Sequence, residues 1–522
     1  MAHQGSNIQA TEPAEFRGLP LDDIPNLLKQ PPLLTDMQDI RDHAHTFLIK
    51  PFAYDPSKPD NEPEPIHGAS VYVDKWDDDH VRLPCSSFNL TNKGSRKWSI
   101  IQNALIYLQR KCAENVASVY DIKEAIEYCN EAQFDIGCLE HLLDKVYKED
   151  ERAHFMTKVL PEMISFALNV DTICTEPPIL LRIGSSRSLT FSQRQAASLL
   201  ACAFFCLFPR QPHGQTYQSI NFNKLFEHGP PWKLEKLKCL LHYFWRVTHN
   251  MPKGVLTLRR FALPNQWIPS WMESQTPVCS LHVNKNTTIE DMPGLLQIDF
   301  ANEFIGGGVM GDGIVQEEIR FTICPEMLIS LLVGEVMQTN ECIFLFGCEQ
   351  YVSYSGYADT FKAKADFVDN TDRDNWGRRL CHVVAMDAIC FSNPCDQYIR
   401  ACIDRELNKA FTCFRLPRSY EQRVYGIATG NWGCGAFRGD KELKAIIQIM
   451  AASEAHRPLA YATWHDQNLM DSLWTVYECL LRQRATVRDI YKCLLEYIAR
   501  RPQLSLFDFI RTTPISSLQI KP

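Results

Sequence analysis

The sequence predicts an α/β protein with an added helical region. Between about residues 94 and 210, apolar residues recur at helical spacing; after about residue 275, short apolar segments of strand length alternate with helical stretches. Strands that alternate with helices are typical of a sheet buried between helical layers. The chain has 522 residues, of which 45% are hydrophobic and 22% charged, so it can fill more than one core.

Four segments are expected along the chain. Residues 1–93 are rich in proline and acidic residues and are predicted to be an extension that packs on the body of the protein. Residues 94–230 are the predicted helical accessory region, 231–470 the predicted catalytic α/β domain, and 471–522 a set of C-terminal helices that pack on it.

Apolar repeats and a capping motif predict the helices of the accessory region. The two repeats are Trp98, Ile101, Leu105 and Leu108, and Phe155, Val159, Met163 and Phe166. Thr190-Phe-Ser-Gln193 matches a capping box and predicts a buried helix that runs to about Phe208.

Six apolar segments predict the strands of the sheet. They are Val278–Val283, Leu295–Phe300, Cys342–Phe346, His382–Ile389, Tyr425–Thr429 and Leu459–Thr463. Further helices are predicted at Pro325–Met337, Lys441–Ala452, Leu473–Leu481 and Val487–Ile498.

Charge and cysteine usage exclude several classes of protein. The net charge is −8 and no block of Lys or Arg is present, which argues against direct binding to DNA through its phosphates. The 20 cysteines lie among apolar residues, and neither a CxxC pair nor metal-ligand spacing occurs, so we expect reduced cysteines and no metal. No signal peptide or membrane span is predicted, so we expect a soluble, intracellular protein.

A glycine-rich segment follows the strand predicted to end near Phe300. Gly306, Gly307 and Gly308 permit positive φ, and their uncovered N–H groups can converge on an oxyanion. Loops beyond the carboxyl ends of strands are where α/β sheets bind ligands. A P-loop is excluded because no GK[ST] follows, and a dinucleotide fingerprint fits poorly. The triplet alone leaves a plain flexible surface loop as an equal alternative.

The acidic pair in Gln316-Glu317-Glu318 favours chemistry over a plain loop. Two adjacent glutamates lie between apolar residues, close to the glycines. Glycosidases need a carboxyl group that protonates a leaving oxygen and later deprotonates water. Because neighbours in sequence point in different directions, one glutamate is expected to transfer protons and the other to hold a sugar.

The GGG–spacer–QEE pattern resembles that of the poly(ADP-ribose) glycohydrolase family, in its animal form. The resemblance covers roughly residues 95 to 500 and includes SLTFSQRQAASLLACAFFCLFP (188–209), INFNKLFE (220–227), TIEDMPGLLQIDFANEF (288–304), EQYVSYSGYADTF (349–361) and ATGNWGCGAF (428–437). It implies a macrodomain, a mixed sheet between helices, joined to an α-helical accessory region. It also implies hydrolysis of the ribose–ribose O-glycosidic bonds of poly(ADP-ribose), with release of ADP-ribose.

The resemblance assigns the catalytic roles to three acids. Glu318 would be the acid/base that protonates the 2′ oxygen of the departing unit and then activates water. Glu317 would hydrogen-bond the ribose hydroxyls, and Asp299 would order the site. From the residues alone, Asp299 could instead be a strand-end cap without a direct role.

The same resemblance assigns substrate-binding roles. Asn302 and Gln316 would position the ribose and the loop. The diphosphate would lie between Gly306–Gly308 and a second loop, whose residues are Asn431, Trp432, Gly433, Cys434, Gly435, Ala436 and Phe437.

An adenine pocket is also implied. Ile289 and Glu290 would line it, and Glu290 would accept from the adenine amino group. Tyr357 would overhang the ligand, with Tyr354 as a nearby support residue. Trp464 replaces a phenylalanine of the vertebrate pattern and keeps an aromatic face for stacking.

Two alternatives to a polymer hydrolase remain at this stage. A non-enzymatic ADP-ribose reader has no use for two buried acids, and a hydrolase of single ADP-ribose units would not need the accessory region. His282, His382 and His465 are expected to be hydrogen-bonded packing residues. The resemblance further implies no cofactor, poly(ADP-ribosyl)ated proteins as partners, a monomer, and a place in the nucleus, the cytoplasm or both.

Overall fold

The structure is a computed structural model that describes residues 15–58, 61–415, 424–500 and 502–518. Its strands are β1 (Phe16–Gly18), β2 (His45–Phe47), β3 (Arg187–Ser192), β4 (Val255–Ala262), β5 (Leu281–Asn284), β6 (Leu296–Asp299), β7 (Glu341–Phe346), β8 (Val352–Ser355), β9 (Lys362–Asp366), β10 (His382–Ala385), β11 (Ile427–Gly430) and β12 (Leu459–Ala462).

The α-helices vary from one turn to five. They are α1 (Lys97–Ala113), α2 (Val119–Asn130), α3 (Gly137–His141), α4 (Glu149–His154), α5 (Leu160–Leu168), α6 (Val170–Ile173), α7 (Gln193–Phe204), α8 (Asn223–Phe226), α9 (Pro231–His249), α10 (Gln316–Ile323), α11 (Ile329–Val333), α12 (Arg400–Phe414), α13 (Lys441–Glu454), α14 (Gln467–Arg482), α15 (Val487–Arg500) and α16 (Leu506–Thr512).

Ten of these strands form one mixed sheet in the order β1-β5-β12-β11-β6-β10-β7-β4-β3-β2. The five neighbours from β5 to β10 are parallel to one another, whereas β10, β7, β4 and β3 pair antiparallel. Parallel neighbours end at the same edge of a sheet, so the segments that leave β5, β12, β11, β6 and β10 meet there. β8 and β9 form a separate hairpin.

Apolar side chains of the sheet alternate between two large cores. On β7, Ile343 and Leu345 pack with the helices between α1 and α11, and Phe344 and Phe346 pack with the helices from α12 onward. The sheet therefore lies between two helical layers, which confirms the predicted fold class. All 20 cysteines are free of disulfides.

The six predicted strands are all present, with ends shifted by up to four residues. His382–Ile389 is the longest prediction, but β10 stops at Ala385, where its neighbour β6 also ends; the last bond between them runs from the Met386 amide to the Asp299 carbonyl, 3.0 Å away. Pro325–Met337 is shorter as well: a 3₁₀ turn over Pro325–Leu328 leads into α11, which ends before Gly334.

The predicted capping box at Thr190 is wrong by two residues. Thr190 lies within β3, and the box is formed by Ser192 and Gln195 at the start of α7. The Gln195 amide donates to Ser192 Oγ at 3.1 Å, and the Ser192 amide donates to Gln195 Oε1 at 2.9 Å. Two overlapping segments fit a capping box here, Thr190-Phe-Ser-Gln193 and Ser192-Gln-Arg-Gln195. Because Thr190 pairs with β4 as part of β3, only the second can begin the helix.

Strands that the sequence did not predict extend the sheet at both ends. β1 pairs with β5 at one edge, and β2 pairs with β3 at the other. Both come from the first 93 residues and have only three residues each, too short for a periodic signal. A search of the described residues finds no helix with the length and apolar character that crossing a membrane requires.

Candidate active site

The predicted site residues lie at the carboxyl edge of the five parallel strands. Glu290 follows β5, Asn302 follows β6, Asn431 follows β11 and Trp464 follows β12. The two cavities described below are lined almost entirely by these segments and by the start of α10. The fold thus brings together residues that are up to 175 positions apart in sequence, counted from Ile289 to Trp464.

Glu317 and Glu318 occupy the first turn of α10, and both are buried. Glu318 Oε1 accepts from the Gly308 amide at 2.8 Å, and its Oε2 accepts from the Val315 amide at 2.8 Å. Glu317 accepts from the amides of Asn302 and Gly306 at 2.9 and 2.6 Å. Carboxylates are favoured at a helix N-terminus, and these two are also held by charge-assisted hydrogen bonds.

Gln316 joins this helix to the end of strand β6. Its side-chain oxygen accepts from the Phe300 amide at 2.7 Å, and its side-chain nitrogen donates to the Ile298 carbonyl at 3.1 Å. Asn302 begins the glycine-rich segment, and its side chain accepts from the Phe304 amide at 3.0 Å. These contacts fix the glutamates relative to the sheet.

The N–H groups of the glycine triplet donate to acceptors within the protein. The Gly306 and Gly308 amides donate to the two glutamates, and the Gly307 amide donates to the Phe304 carbonyl at 3.1 Å. The sequence predicted instead that these groups face a diphosphate. Gly306 and Gly307 have φ of +90° and +50°, which explains why glycine is needed there. The triplet orients the glutamates.

Asp299 ends β6 on the face opposite to Ile298 and is fully buried. Its carboxyl oxygens accept from no amide, hydroxyl or ammonium group of the described residues. Burial first, and then the charge of Glu318, raises the pKa of Asp299 well above its usual range; Arg320 and a hydrogen bond with Glu317 act in the opposite direction.

Glu317 is perturbed in the same sense as Asp299. Burial, Asp299 and Glu318 raise the pKa of Glu317, against its two backbone hydrogen bonds. Burial disfavours the charged form of both carboxyl groups, and each also disfavours the charge on the other.

The first cavity has a volume of about 290 Å³ and an apolar, aromatic wall. Ile289, Tyr357 and Trp464 line it, and the rings of Tyr357 and Trp464 lie 5.4 Å apart at 54°. Trp464 is 43% exposed and has φ of +58°, an uncommon conformation for a tryptophan. The Tyr354 hydroxyl donates to Glu290, so Tyr354 both supports that carboxylate and lines the cavity.

The loop at 431–437 forms another wall of the same cavity. Among the described residues, the amide groups of Gly433, Gly435, Ala436 and Phe437 donate to no protein acceptor. The side chains of its first residues are used inside the protein: Asn431 bonds Tyr461 and the Thr463 carbonyl, and Trp432 is fully buried with its indole N–H on the Met386 carbonyl.

The second cavity contains the glutamates and has a volume of about 450 Å³. Asn302, Gly307, Glu317 and Glu318 line it. It shares four lining residues with the first cavity, and these are Phe300, Val315, Ala436 and Phe437. The two cavities are therefore parts of one cleft. One ligand can extend from the aromatic wall to the glutamates.

Several residues of the cleft were missed from the sequence. Phe300 and Val315 flank the motifs, so their place beside a strand end and a helix start was a usable signal. Tyr217 and Gln218 come from outside the motifs and carry no local signal. No group of three potential metal ligands occurs among the residues that the structure describes.

Two of the three histidines are hydrogen-bonded packing residues, as predicted. His282 Nδ1 lies 2.8 Å from the Leu19 carbonyl, and His382 Nδ1 lies 2.9 Å from the Tyr425 hydroxyl. Burial lowers the pKa of both. His465 is exposed, and its ring lies 5.5 Å from that of Trp464.

Comparisons with known proteins point to one family. Residues 147–260 match the model of the poly(ADP-ribose) glycohydrolase helical domain, and residues 268–471 match the model of the macro domain fold of the same family. A solved structure of a mutant poly(ADP-ribose) glycohydrolase from Deinococcus radiodurans in complex with ADP-ribose is 14% identical; it covers 41% of this chain and 91% of its own, with a TM-score of 0.26.

Two curated relatives are more similar in sequence. A probable poly(ADP-ribose) glycohydrolase 2 from Arabidopsis thaliana is 33% identical over 443 residues, which cover 71% of this chain and 84% of the relative. A poly(ADP-ribose) glycohydrolase 2 from Caenorhabditis elegans is 32% identical over 358 residues, which cover 65% and 70%. From the length and identity of these matches, the chain belongs to the poly(ADP-ribose) glycohydrolase family.

Proposed function

We propose that this chain hydrolyses poly(ADP-ribose) at its ribose–ribose O-glycosidic bonds and releases ADP-ribose. The observation that carries the proposal is Glu318, whose two carboxyl oxygens are fixed by amides at 2.8 Å while its side chain lines the cleft. A carboxyl group held in place beside a cavity is what general acid–base catalysis requires. The family relationship supports the same activity.

The cleft suits an ADP-ribose unit in extended form. The adenine would lie against Ile289 and the rings of Tyr357 and Trp464, with Glu290 as an acceptor for its amino group. The diphosphate would then meet the 431–437 loop, where the free amides of Gly433, Gly435, Ala436 and Phe437 can donate to its oxygens. In this order, the ribose furthest from the adenine would lie over Glu317 and Glu318.

The proposed reaction uses Glu318 twice. Its carboxyl proton passes to the 2′ oxygen of the leaving unit as the bond from that oxygen to the anomeric carbon breaks. Positive charge develops on the sugar ring, as in glycoside hydrolysis generally. The Glu318 carboxylate then takes a proton from the water whose oxygen bonds to the anomeric carbon, and the acid is restored. Glu317 contacts the ribose and keeps the loop in register through Asn302 and Gly306.

The cellular setting is proposed from the substrate. Poly(ADP-ribosyl)ated proteins in the nucleus, the cytoplasm or both would be the partners, and the chain would act as a monomer. The net charge of −8 and the lack of a basic block support recognition of the ligand by local donors, without direct DNA contact. No cofactor takes part in the proposed steps.

A comparison of two substrates tests the function. Labelled poly(ADP-ribose) and a mono-ADP-ribosylated protein are incubated separately with the purified chain, and released ADP-ribose is quantified over time. We expect rapid release from the polymer and little from the single modification. Binding of the polymer without release would make the chain a reader, and release only from the single modification would make it a mono-ADP-ribosyl hydrolase; either result overturns the proposal.

A further inference from the structure

The carbonyl groups of the glycine-rich loop are gathered around one buried lysine of the helical layer. Lys236 lies on α9 and is 0% exposed. Its Nζ donates to the carbonyls of Val309, Gly311 and Gly313 at 2.8, 2.6 and 2.7 Å, and a fourth carbonyl, that of Gly308, lies at 3.4 Å. An ammonium group has three donors, so three short contacts use all of them.

Gln218 holds the first half of the same loop. Its side-chain nitrogen donates to the carbonyls of Gly307 and Phe304 at 2.8 and 3.0 Å. Gln218 also lines the cavity that contains the glutamates. Together the two side chains bind carbonyls from Phe304 to Gly313.

The loop is therefore held through both its carbonyl groups and its amide groups. Its carbonyls point to Lys236 and Gln218, and the amides of Gly306 and Gly308 point to Glu317 and Glu318. Since a peptide unit is planar, a fixed carbonyl also fixes the N–H group of the next residue. The Gly307 carbonyl, held by Gln218, therefore orients the Gly308 amide, and the carbonyls held by Lys236 orient the peptide units that follow. Glycines have the widest freedom to rotate these planes, so the loop depends on external contacts for one orientation.

We propose that Gln218 and Lys236 are positioning residues for the acid/base. Gln218 fixes the peptide unit whose Gly308 amide holds the Glu318 carboxyl group, and Lys236 fixes the rest of the loop up to Gly313, so that this unit keeps the orientation that the reaction needs. This inference rests on the proposed function. It assigns to the helical layer a direct part in the geometry of the cleft, because neither Lys236 nor Gln218 belongs to the segments at the carboxyl edge of the sheet.

Charge supports the same arrangement. Burial lowers the pKa of Lys236 to about 7, and the negative charge of the nearby Glu318 acts in the opposite direction, which raises it. A buried ammonium without partners is strongly disfavoured, and the carbonyls provide hydrogen bonds to a charged donor. Among the described residues, no hydrogen bond joins Lys236 to the aromatic wall or to the 431–437 loop, so we expect ligand binding there to depend little on Lys236.

Substitution of Lys236 tests the proposal. Lys236→Met keeps an unbranched chain of similar volume and removes every donor. We expect kcat for release of ADP-ribose from polymer to fall about 100-fold, as misplacement of a catalytic group by about 1 Å would cause. The Kd for ADP-ribose, measured by calorimetry, should change less than about threefold. Lys236→Arg, which keeps a charged donor, should have a kcat at least about tenfold higher than that of Lys236→Met.

Two further variants make the outcome decisive. Lys238→Met removes a half-buried lysine from the same helix, which pairs with Glu235, and should leave kcat and Kd as in the unmodified chain. Gln218→Leu should lower kcat with Kd maintained; it serves as the test if Lys236→Met does not fold.

A kcat for Lys236→Met within threefold of the unmodified chain would overturn the inference. Parallel loss of kcat and ADP-ribose affinity would also overturn it, because this pattern indicates general structural damage. If the unmodified chain releases no ADP-ribose, the proposed function itself fails, and the two failures are thereby distinguished.

Discussion

At the scale of single residues, the three carboxyl groups near the glycine-rich loop occupy two kinds of environment. Glu318 and Glu317 each accept two backbone N–H groups, whereas Asp299 accepts none from the described residues and is fully buried. Hydrogen bonds stabilise the ionised form of a carboxyl group, whereas burial favours its neutral form. We propose that this difference lets the neighbouring acids serve different roles.

Asp299→Asn should change how stability depends on pH. Burial raises the pKa of Asp299 in the folded chain, whereas the unfolded chain releases this proton above about pH 4. We therefore expect the unmodified protein to lose up to about 1.4 kcal/mol of stability per pH unit above that value, until the pH reaches the raised pKa. Asn removes this loss, so the melting temperature of Asp299→Asn relative to the unmodified chain should rise from pH 5 to pH 8. A constant difference across this range would contradict a neutral Asp299.

At the scale of elements, the site depends on one short loop between β6 and α10. Gly306–Gly308 supplies amides to the glutamates, Lys236 and Gln218 hold its carbonyls, and Gln316 ties α10 back to the strand. The aromatic wall and the 431–437 loop lie outside this hydrogen-bond network. We therefore expect substitutions in the network to lower the rate of hydrolysis more than the affinity for the ligand.

Gly307→Ala tests the fit of this loop. A Cβ at Gly307 would lie 2.6 Å from an oxygen of each glutamate, and its φ of +50° adds strain. We expect polymer hydrolysis to fall about 100-fold, since a small displacement of the acid is enough. Gly311→Ala is the control, because the nearest atom to its Cβ, the Gly308 carbonyl oxygen, is 3.8 Å away. Equal kcat/KM values for the two variants would show that the loop tolerates the displacement.

The elements show how far the sequence predicts the fold and the site. The strands β11 and β12 are largely apolar and are followed by polar residues, and a glycine-rich segment lies shortly after β6, so their positions and the loops after them were predictable. β4 was missed because Arg259 and Arg260 interrupt its apolar pattern, although Arg260 is buried against Glu341. Lys236 was missed for a similar reason: a lysine on a helix is usually exposed, and only its loop partners explain its burial.

The glycine triplet shows a second limit of sequence reasoning. Its conformational freedom was predictable, and two of its residues have positive φ. The direction of its N–H groups was not predictable, because it depends on Glu317, Glu318 and two side chains from the helical layer. The resemblance gave the correct family; the diphosphate contact of the triplet stays a prediction, and the contacts show that two of its amides also donate to the glutamates.

At the scale of the whole molecule, one sheet joins the segment that matches the helical domain of the family to the segment that matches its macro domain. β3 and most of β4 lie in the segment that matches the helical domain, and β4 pairs with β7 of the macro domain segment. Arg260 donates to the carbonyls of Leu181, Glu335 and Val336 and pairs with Glu341 in the interior. These bonds tie the helical layer to strands β4 and β7 of the sheet.

Glu341→Gln should destabilise the molecule as a whole. It leaves the Arg260 charge buried without its counter-charge, and loss of one partner of such a pair costs about 3–5 kcal/mol. The free energy of unfolding is measured by urea titration at pH 7. The control is Glu496→Gln, which breaks a partly exposed pair with Arg500 and should cost less than about 1 kcal/mol. Similar losses in both variants would contradict this role for the buried pair.

The central claim is that Glu318 transfers the protons in hydrolysis of poly(ADP-ribose). The most direct test is Glu318→Gln, assayed for ADP-ribose release from labelled polymer and for ADP-ribose binding by calorimetry. We predict that release falls at least about 1,000-fold, within the range that general acid–base groups contribute, while the Kd stays within about threefold because the aromatic wall and the 431–437 loop are intact. Release by Glu318→Gln at a rate close to that of the unmodified chain would contradict the account.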